Sequence, residues 1–315
     1  MKPTWILVAL ATLTGMVFTT LHVTSVANVI PPVETKATDA YTPAADIIQY
    51  GHPEKLTLQS GVAMIVDDRE GVMLYGRDIE RRRPIASLTK LMTALVILES
   101  GLPLDEPITL TREDRDRLRG TRSRLSFGAV FTRHDLLRAA LGASDNRAAA
   151  ALGRTYPGGD EAMFRAMNEK AQKLGMTQTR FADASGLHNG NVSTANDLVR
   201  LVNETRKHQL FQTMTTTPTF RITDQKSGRQ VAFRNTNRLV HRDSWDIGLS
   251  KTGYTAAAGN CLIMQATIAE RPLTIVLLNS WGKLSRYGDA RRIQQWLQKA
   301  ERRVPPIVTA RASTG

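Results

Sequence analysis

Ser87 and Lys90 are the first candidates for chemistry in this chain. In Ser87-Leu-Thr-Lys90 a hydroxyl and an amine lie one helical turn apart on one face, a nucleophile beside a base able to activate it. If Ser87 opens the helix, free backbone N–H groups and the helix dipole favour negative charge at the same point. A second cluster, Ser144-Asp145-Asn146, falls at a predicted break between two helices, where a loop can turn side chains into a cleft. Taken alone it reads as an ordinary helix N-cap. Gly142-Ala-Ser144 also begins like a nucleophile elbow, but Asn146 stands where that motif needs glycine. The third cluster, Lys251-Thr252-Gly253, precedes two apolar runs. Its strand is expected inside the sheet beside the cleft, with Gly253 letting substrate backbone come close.

Two of these patterns have competitors. Ser280-Trp-Gly-Lys283 repeats the serine–lysine spacing, but it follows a strand and contains glycine, so no helical turn stacks its ends. Lys226-Ser227-Gly228 repeats the third cluster at the tip of a polar hairpin, residues 222–231, where such residues are common turn chemistry.

The elements that must position these groups are legible from apolar patterning. Gly61–Val66 and Val72–Tyr75 flank the polar turn Asp67–Gly71 and predict a β-hairpin. Residues 87–100 are nearly all apolar after the first turn, which predicts a buried helix. Thr132-x-x-Asp135 resembles a capping box and starts a helix running to about Leu141. After a break at Gly142 a short helix covers 146–153, and another covers 160–174. Residues 261–269 and 273–279 read as strands around a Glu270-Arg-Pro turn, and 289–303 as a last helix with Ile293, Trp296, Leu297 and Ala300 on one face. Strands at both ends and helices between them predict one antiparallel sheet joined by a helix-rich subdomain, with a cleft at their border.

The chain has 315 residues, 42% hydrophobic and 23% charged, which excludes an intrinsically disordered, collagenous or polytopic membrane protein. Lys2 precedes an apolar stretch, Trp5–Phe18, that falls short of the roughly 20 residues needed to span a bilayer. Ser25-Val26-Ala27 then offers the small residues a signal peptidase reads, so residues 1–27 are expected to be a cleaved signal peptide. Residues 28–56, with Pro31, Pro32, Pro43 and Pro53, read as a leader or linker, 57–303 as the catalytic domain, and 304–315 as a disordered tail. The formal charge of +13 suggests an anionic partner, with a generic solvated basic surface as the equal alternative. Export rules out nucleic acid and leaves weak association with the cell wall or the membrane surface. The single cysteine, Cys261, excludes an internal disulfide and a multi-cysteine zinc site, and its apolar surroundings mark it as a buried hydrophobe. None of the six histidines forms an HExxH pair.

Together and in this order, the three clusters are identified as the signature of penicillin-binding proteins and class A β-lactamases. The chain resembles the low-molecular-mass penicillin-binding proteins of the D-alanyl-D-alanine endopeptidase type over roughly residues 57–300. The likeness runs through Arg83–Ala94, Asn146–Ala150, Tyr156–Gly159, Gly175–Phe181, Ser185–Leu187, Ser193–Ala195, Phe233–Asn237 and Trp245–Ala258. The resemblance implies an α/β (α+β) fold with a five-stranded antiparallel sheet, helices on its faces, and the active site in the cleft. It implies Ser87 as nucleophile, Lys90 as general base and Ser144 as proton relay. Burial and the Lys251 charge would both lower the Lys90 pKa. Asn146 would hold Lys90 and the substrate amide, Lys251 and Thr252 a substrate carboxylate or carbonyl, and the N–H groups of Ser87 and Tyr254 the oxyanion. Asp145 stands where glutamate is as common. No cofactor or metal is required. The substrate would be crosslinked peptidoglycan peptide in the periplasm, with β-lactam antibiotics as covalent inhibitors.

A class A β-lactamase would need a deacylating glutamate in a loop, whereas Glu161 and Glu169 fall in a predicted helix. A catalytically silent wall-binding protein would not need the full set of catalytic residues. Carboxypeptidases of this family usually carry an extra β-rich domain and an amphipathic anchor. Only residues 304–315 follow the last predicted helix here, which favours the endopeptidase.

Overall fold

A computed structural model describes residues 41–305; the expected signal peptide and the last ten residues lie outside the described part. The elements are α1 (Ala44–Gly51), β1 (Ser60–Asp67), β2 (Met73–Arg77), β3 (Arg83–Pro84), α2 (Thr89–Glu99), β4 (Pro107–Thr109), β5 (Val130–Thr132), α3 (Arg133–Gly142) and α4 (Asn146–Arg154). They continue with α5 (Gly159–Lys173), β6 (Val192–Ser193), α6 (Ala195–Thr205), α7 (Gln209–Thr216), β7 (Thr219–Thr223), β8 (Gln230–Arg234), β9 (Asp246–Thr255), β10 (Gly259–Ile268), β11 (Arg271–Ser280) and α8 (Ser285–Arg303). The main sheet is antiparallel, in the order β2-β1-β11-β10-β9.

Period-2 alternation divides the central strands between two cores. Val62, Met64 and Val66 of β1, with Ile263 of β10 and Val276 and Leu278 of β11, face the helical subdomain. Ala63, Ile65, Leu262, Met264, Ile275 and Leu277 face the opposite side, against α1 and α8. Both faces are covered, so these strands read as continuous apolar runs. Ile293, Leu297 and Ala300 of α8 are buried as their spacing predicts, and the Trp296 indole N–H donates to the Gly51 carbonyl at 2.8 Å.

On the other face α2 is the hub, with every residue from Thr89 to Ile97 buried. Thr132 caps α3 by accepting from Asp135 N at 3.0 Å, and Asp145 caps α4 by accepting from Ala148 N at 3.0 Å. A short ladder of β3 with β6 pins the segment before Ser87 (Arg83 opposite Ser193).

Four details differ from the sequence reading. The leader stretch is folded from Tyr41 onward, because α1 packs Ala44 and Ile47 into the core under α8. β9 is a sheet edge and not an interior strand: β11 pairs on its far side with β1, which leaves the β9-β10-β11 meander ending at β9. The last hairpin turns at Ala269-Glu270, both with positive φ as a type I′ turn requires, and Arg271 belongs to β11. Helix α8 starts at Ser285, four positions earlier than expected.

Arg271 is almost wholly buried beside Asp67 and also donates to the Tyr41 hydroxyl and the Thr42 carbonyl, with Glu301 Oε1 3.2 Å from its Nε. This cluster ties the entering chain to the sheet and to α8. Arg271→Ala should lower unfolding free energy by about 3–5 kcal/mol, because the Asp67 carboxylate would remain buried and unpaired; urea unfolding of the two proteins measures it.

Candidate active site

The nucleophile candidate is held by a strained turn. Ile85 N donates to the Asn191 carbonyl at 3.0 Å, and Ala86 then adopts φ +49, a conformation non-glycine residues rarely accept. Ser87 follows in a 3-10 turn, Ala86–Leu88, and α2 begins two residues after it, so Ser87 precedes the α-helix. Gly186, φ +85, packs directly on this turn: a β-carbon there would lie 2.0 Å from the Ala86 carbonyl oxygen. Gly253 closes the other side, where a β-carbon would meet Ile85 O at 3.1 Å and Ser87 N at 3.2 Å. The face of Gly253 that a β-carbon would occupy is therefore turned toward the nucleophile turn.

Lys90 is fully buried and has three partners. Its Nζ lies 2.7 Å from Asn146 Oδ1, 2.5 Å from the Ser185 carbonyl and 3.0 Å from Ser87 Oγ. Two of these can only accept, whereas the hydroxyl can donate. A neutral amine has two N–H groups and one lone pair, so this shell satisfies the carbonyls and leaves the lone pair for the Ser87 hydroxyl. Burial brings the Lys90 pKa down to about 8, opposed by the charges of Asp183, Asp145 and Asp116.

Ser144, at φ +57, connects α3 to the cap of α4. Its hydroxyl accepts from Lys251 Nζ at 2.8 Å. Lys251 is also fully enclosed; burial lowers its pKa well below the ordinary value, and the charges of Lys90 and Arg286 lower it further. The repulsion expected to act on Lys90 thus falls on Lys251. Thr252 donates to Thr236 Oγ1 at 2.7 Å, and Tyr254 is exposed on the edge strand one residue beyond Gly253. All three clusters converge on one cleft, between edge strand β9 and the helical subdomain.

Several supporting groups have no signature of their own. Asp183 accepts from the N–H groups of Ser185, Gly186, Leu187 and His188, and this shapes the loop that presents the Ser185 carbonyl to Lys90. Asn146 Nδ2 donates to Thr121 Oγ1 at 2.9 Å, and Arg286 Nη1 donates to the Gly253 carbonyl at 3.1 Å. Only the proximity of Ser185-Gly-Leu187 to the family pattern hinted at any of them. The competitors stay apart: Ser280 Oγ is 2.7 Å from Ser60 Oγ, and Lys226-Ser227-Gly228 caps the β7–β8 hairpin. Cys261 is buried, which pushes its thiol up to about 11. Glu161 and Glu169 lie exposed on α5.

Residues 49–282 match the peptidase S11 family, described as D-alanyl-D-alanine carboxypeptidase. The chain belongs to that family. It is 43% identical over 251 residues to the D-alanyl-D-alanine endopeptidase of Pseudomonas aeruginosa, covering 80% of this chain and 81% of that one. The crystal structure of the Streptomyces K15 DD-transpeptidase superposes with a TM-score of 0.71 at 28% identity, covering 77% of this chain and 98% of that one. Penicillin-binding protein D2 of Listeria monocytogenes, in its ampicillin-bound form, is similar with a TM-score of 0.66 at 31% identity, covering 78% and 99%. Membership makes the chain a serine-type DD-peptidase with the β-lactamase-like fold expected from its sequence.

Gly186→Ala should destabilise the protein by about 3 kcal/mol or more, since the added methyl collides with backbone. Gly101→Ala, at φ +70 with no atom within 4 Å, should cost only about 1–2 kcal/mol. Urea midpoints of the two variants separate the collision from the backbone strain.

Proposed function

We propose that the protein is a penicillin-sensitive serine DD-endopeptidase that hydrolyses D-alanyl-meso-diaminopimelate crosslinks of peptidoglycan. It would act in the periplasm after loss of a signal peptide at residues 1–27. The observation that carries this reading is the contact of buried Lys90 Nζ with Ser87 Oγ at 3.0 Å beside two carbonyl oxygens that can only accept, so that a neutral Lys90 turns its lone pair to the Ser87 hydroxyl.

The reaction follows from that arrangement. Lys90 takes the hydroxyl proton as Ser87 Oγ attacks the carbonyl carbon of the D-alanyl amide. The N–H groups of Ser87 and Tyr254 hold the developing oxyanion, a contribution of about 3–4 kcal/mol for one preorganised donor. Collapse breaks the C–N bond; the leaving amine receives a proton through Ser144, which its contact with Lys251 holds in place. Water then attacks the acyl-enzyme by the reverse proton path and frees Ser87. Asn146 orients Lys90 and receives the substrate amide. Lys251 and Thr252 bind the substrate carboxylate or carbonyl, and an arriving carboxylate favours the charged form of Lys251 that burial opposes. β-Lactams enter by the same attack and remain as esters of Ser87.

The endopeptidase name of the P. aeruginosa relative favours cleavage of crosslinks over removal of a terminal D-alanine. Mass spectrometry of a crosslinked muropeptide dimer tests this: conversion to tetrapeptide monomers, blocked by penicillin, is the expected result. An intact dimer, with D-alanine lost only from a pentapeptide, would establish a carboxypeptidase. Ser87→Ala should abolish both hydrolysis and labelling by fluorescent penicillin.

The pH dependence has a definite sign. Lys90 is active only when neutral, so acylation by penicillin should rise about tenfold per pH unit below its pKa of about 8 and level off above it. Stopped-flow acylation between pH 6 and 9.5 measures the profile; a flat profile would remove Lys90 from the role of base.

A further inference from the structure

The connection from β4 to β5, residues 110–129, is longer than the roughly 12–15 residues above which such loops are usually functional. It carries six arginines between Arg112 and Arg124, against three acidic residues. It also reaches the site, through Thr121 Oγ1 to Asn146 Nδ2 and through Arg119, which donates to the Leu187 carbonyl at 2.9 Å and to Asn189 Oδ1 at 2.6 Å. Between this connection and the 183–187 loop lies a cavity of about 200 Å³, lined among others by Arg115, Asp116, Arg117, Asn146, Asp183 and Leu187.

Its carboxylates are already engaged. Asp114 pairs with Arg154 at 2.8 Å. Asp116 accepts from the N–H groups of Leu118, Arg119 and Thr121 and from the Thr121 hydroxyl. Asp183 is spent on the N–H groups of its own loop. Arg115 and Arg117 are exposed, and among the described residues neither guanidinium has a hydrogen-bond or ion-pair partner. The donors left free in this cavity are therefore cationic forks that match a carboxylate.

We propose that this cavity is a carboxylate-binding subsite, in which Arg115 and Arg117 hold a free carboxylate of a peptidoglycan stem peptide outside the bond being cut. This rests on the reading of the protein as a wall-peptide hydrolase and names how the polymer is gripped. Asn146, which lines the subsite, is the same residue that holds Lys90, so a strand anchored there is held next to the reacting serine.

The test uses the full chain with Ser87→Ala, which cannot digest its ligand. It is sedimented with insoluble peptidoglycan whose carboxylates are either free or converted to methylamides. The parent should be retained about fivefold to tenfold better on the free form at low salt, and the preference should shrink as salt is raised. Adding Arg115→Gln and Arg117→Gln should remove most of that preference, whereas the charge-matched pair Arg291→Gln and Arg302→Gln, on α8, should keep it. Equal preference in parent and Arg115/Arg117 variant would overturn the subsite, as would an equal loss in the α8 control. On a Ser87 background the Arg115/Arg117 variant should be acylated by penicillin at the parental rate; a parallel loss would mean the arginines serve the reacting cleft itself, and would also overturn it. Retention needs no turnover, so failure to cut a crosslinked dimer would sink the endopeptidase reading and leave this result standing.

Discussion

Lys90 and Lys251 are both shut away from water in one cleft, and two ammonium ions there would repel each other and lack solvation. The surroundings answer this in two ways. Each amine is given oxygen partners, carbonyls and a serine hydroxyl for Lys90, and a hydroxyl and a carbonyl for Lys251. Burial also lowers the pKa of each, that of Lys90 to about 8, which makes its neutral form accessible near physiological pH, the condition a lysine must meet to accept a proton. The tight loop contacts and left-handed residues around the cleft hold those partners in place.

Three separate parts of the chain supply them. The helical hub α2 brings Lys90, the break between α3 and α4 brings Ser144 and Asn146, and edge strand β9 brings Lys251. Gly186 and Gly253 clamp the Ser87 turn from two sides: a β-carbon at Gly186 would collide with the Ala86 carbonyl, and one at Gly253 would press tightly on Ile85 and Ser87. Ala86 and Ser144, both with a β-carbon and positive φ, hold backbone strain beside this cleft.

Much of this was legible in the chain itself. Apolar runs around polar turns marked both hairpins, Thr132 and Asp135 marked the start of α3, and spacing alone put Ile293, Leu297 and Ala300 on the buried face of α8. The three polar clusters pointed to one cleft because the first opens a helix, the second sits at the break between two helices and the third lies on a strand bordering the cleft. What could not be read depends on distant pairing. The edge position of β9 follows from the insertion of β1 beside β11. The fold of residues 41–56 follows from a docking surface on α8 and from Arg271, which no local pattern announces. The third partner of Lys90 is a main-chain carbonyl, and any residue type at position 185 would provide one.

The pairing of β1 with β11 has a consequence for how the molecule is made. Ser60 and Ser280 share a hydrogen bond although they stand 220 positions apart in the chain. Strand β1 has hairpin partner β2 at once, but its other edge stays open until β11 has been made. Contacts of such long range place folding among the slow, high-contact-order cases. The cleft that joins β9 to α2 is assembled from both sides of that late closure. A serine hydrolase built this way completes its cleft only when the strand carrying Lys251 has closed on the helical half that carries Ser87 and Lys90.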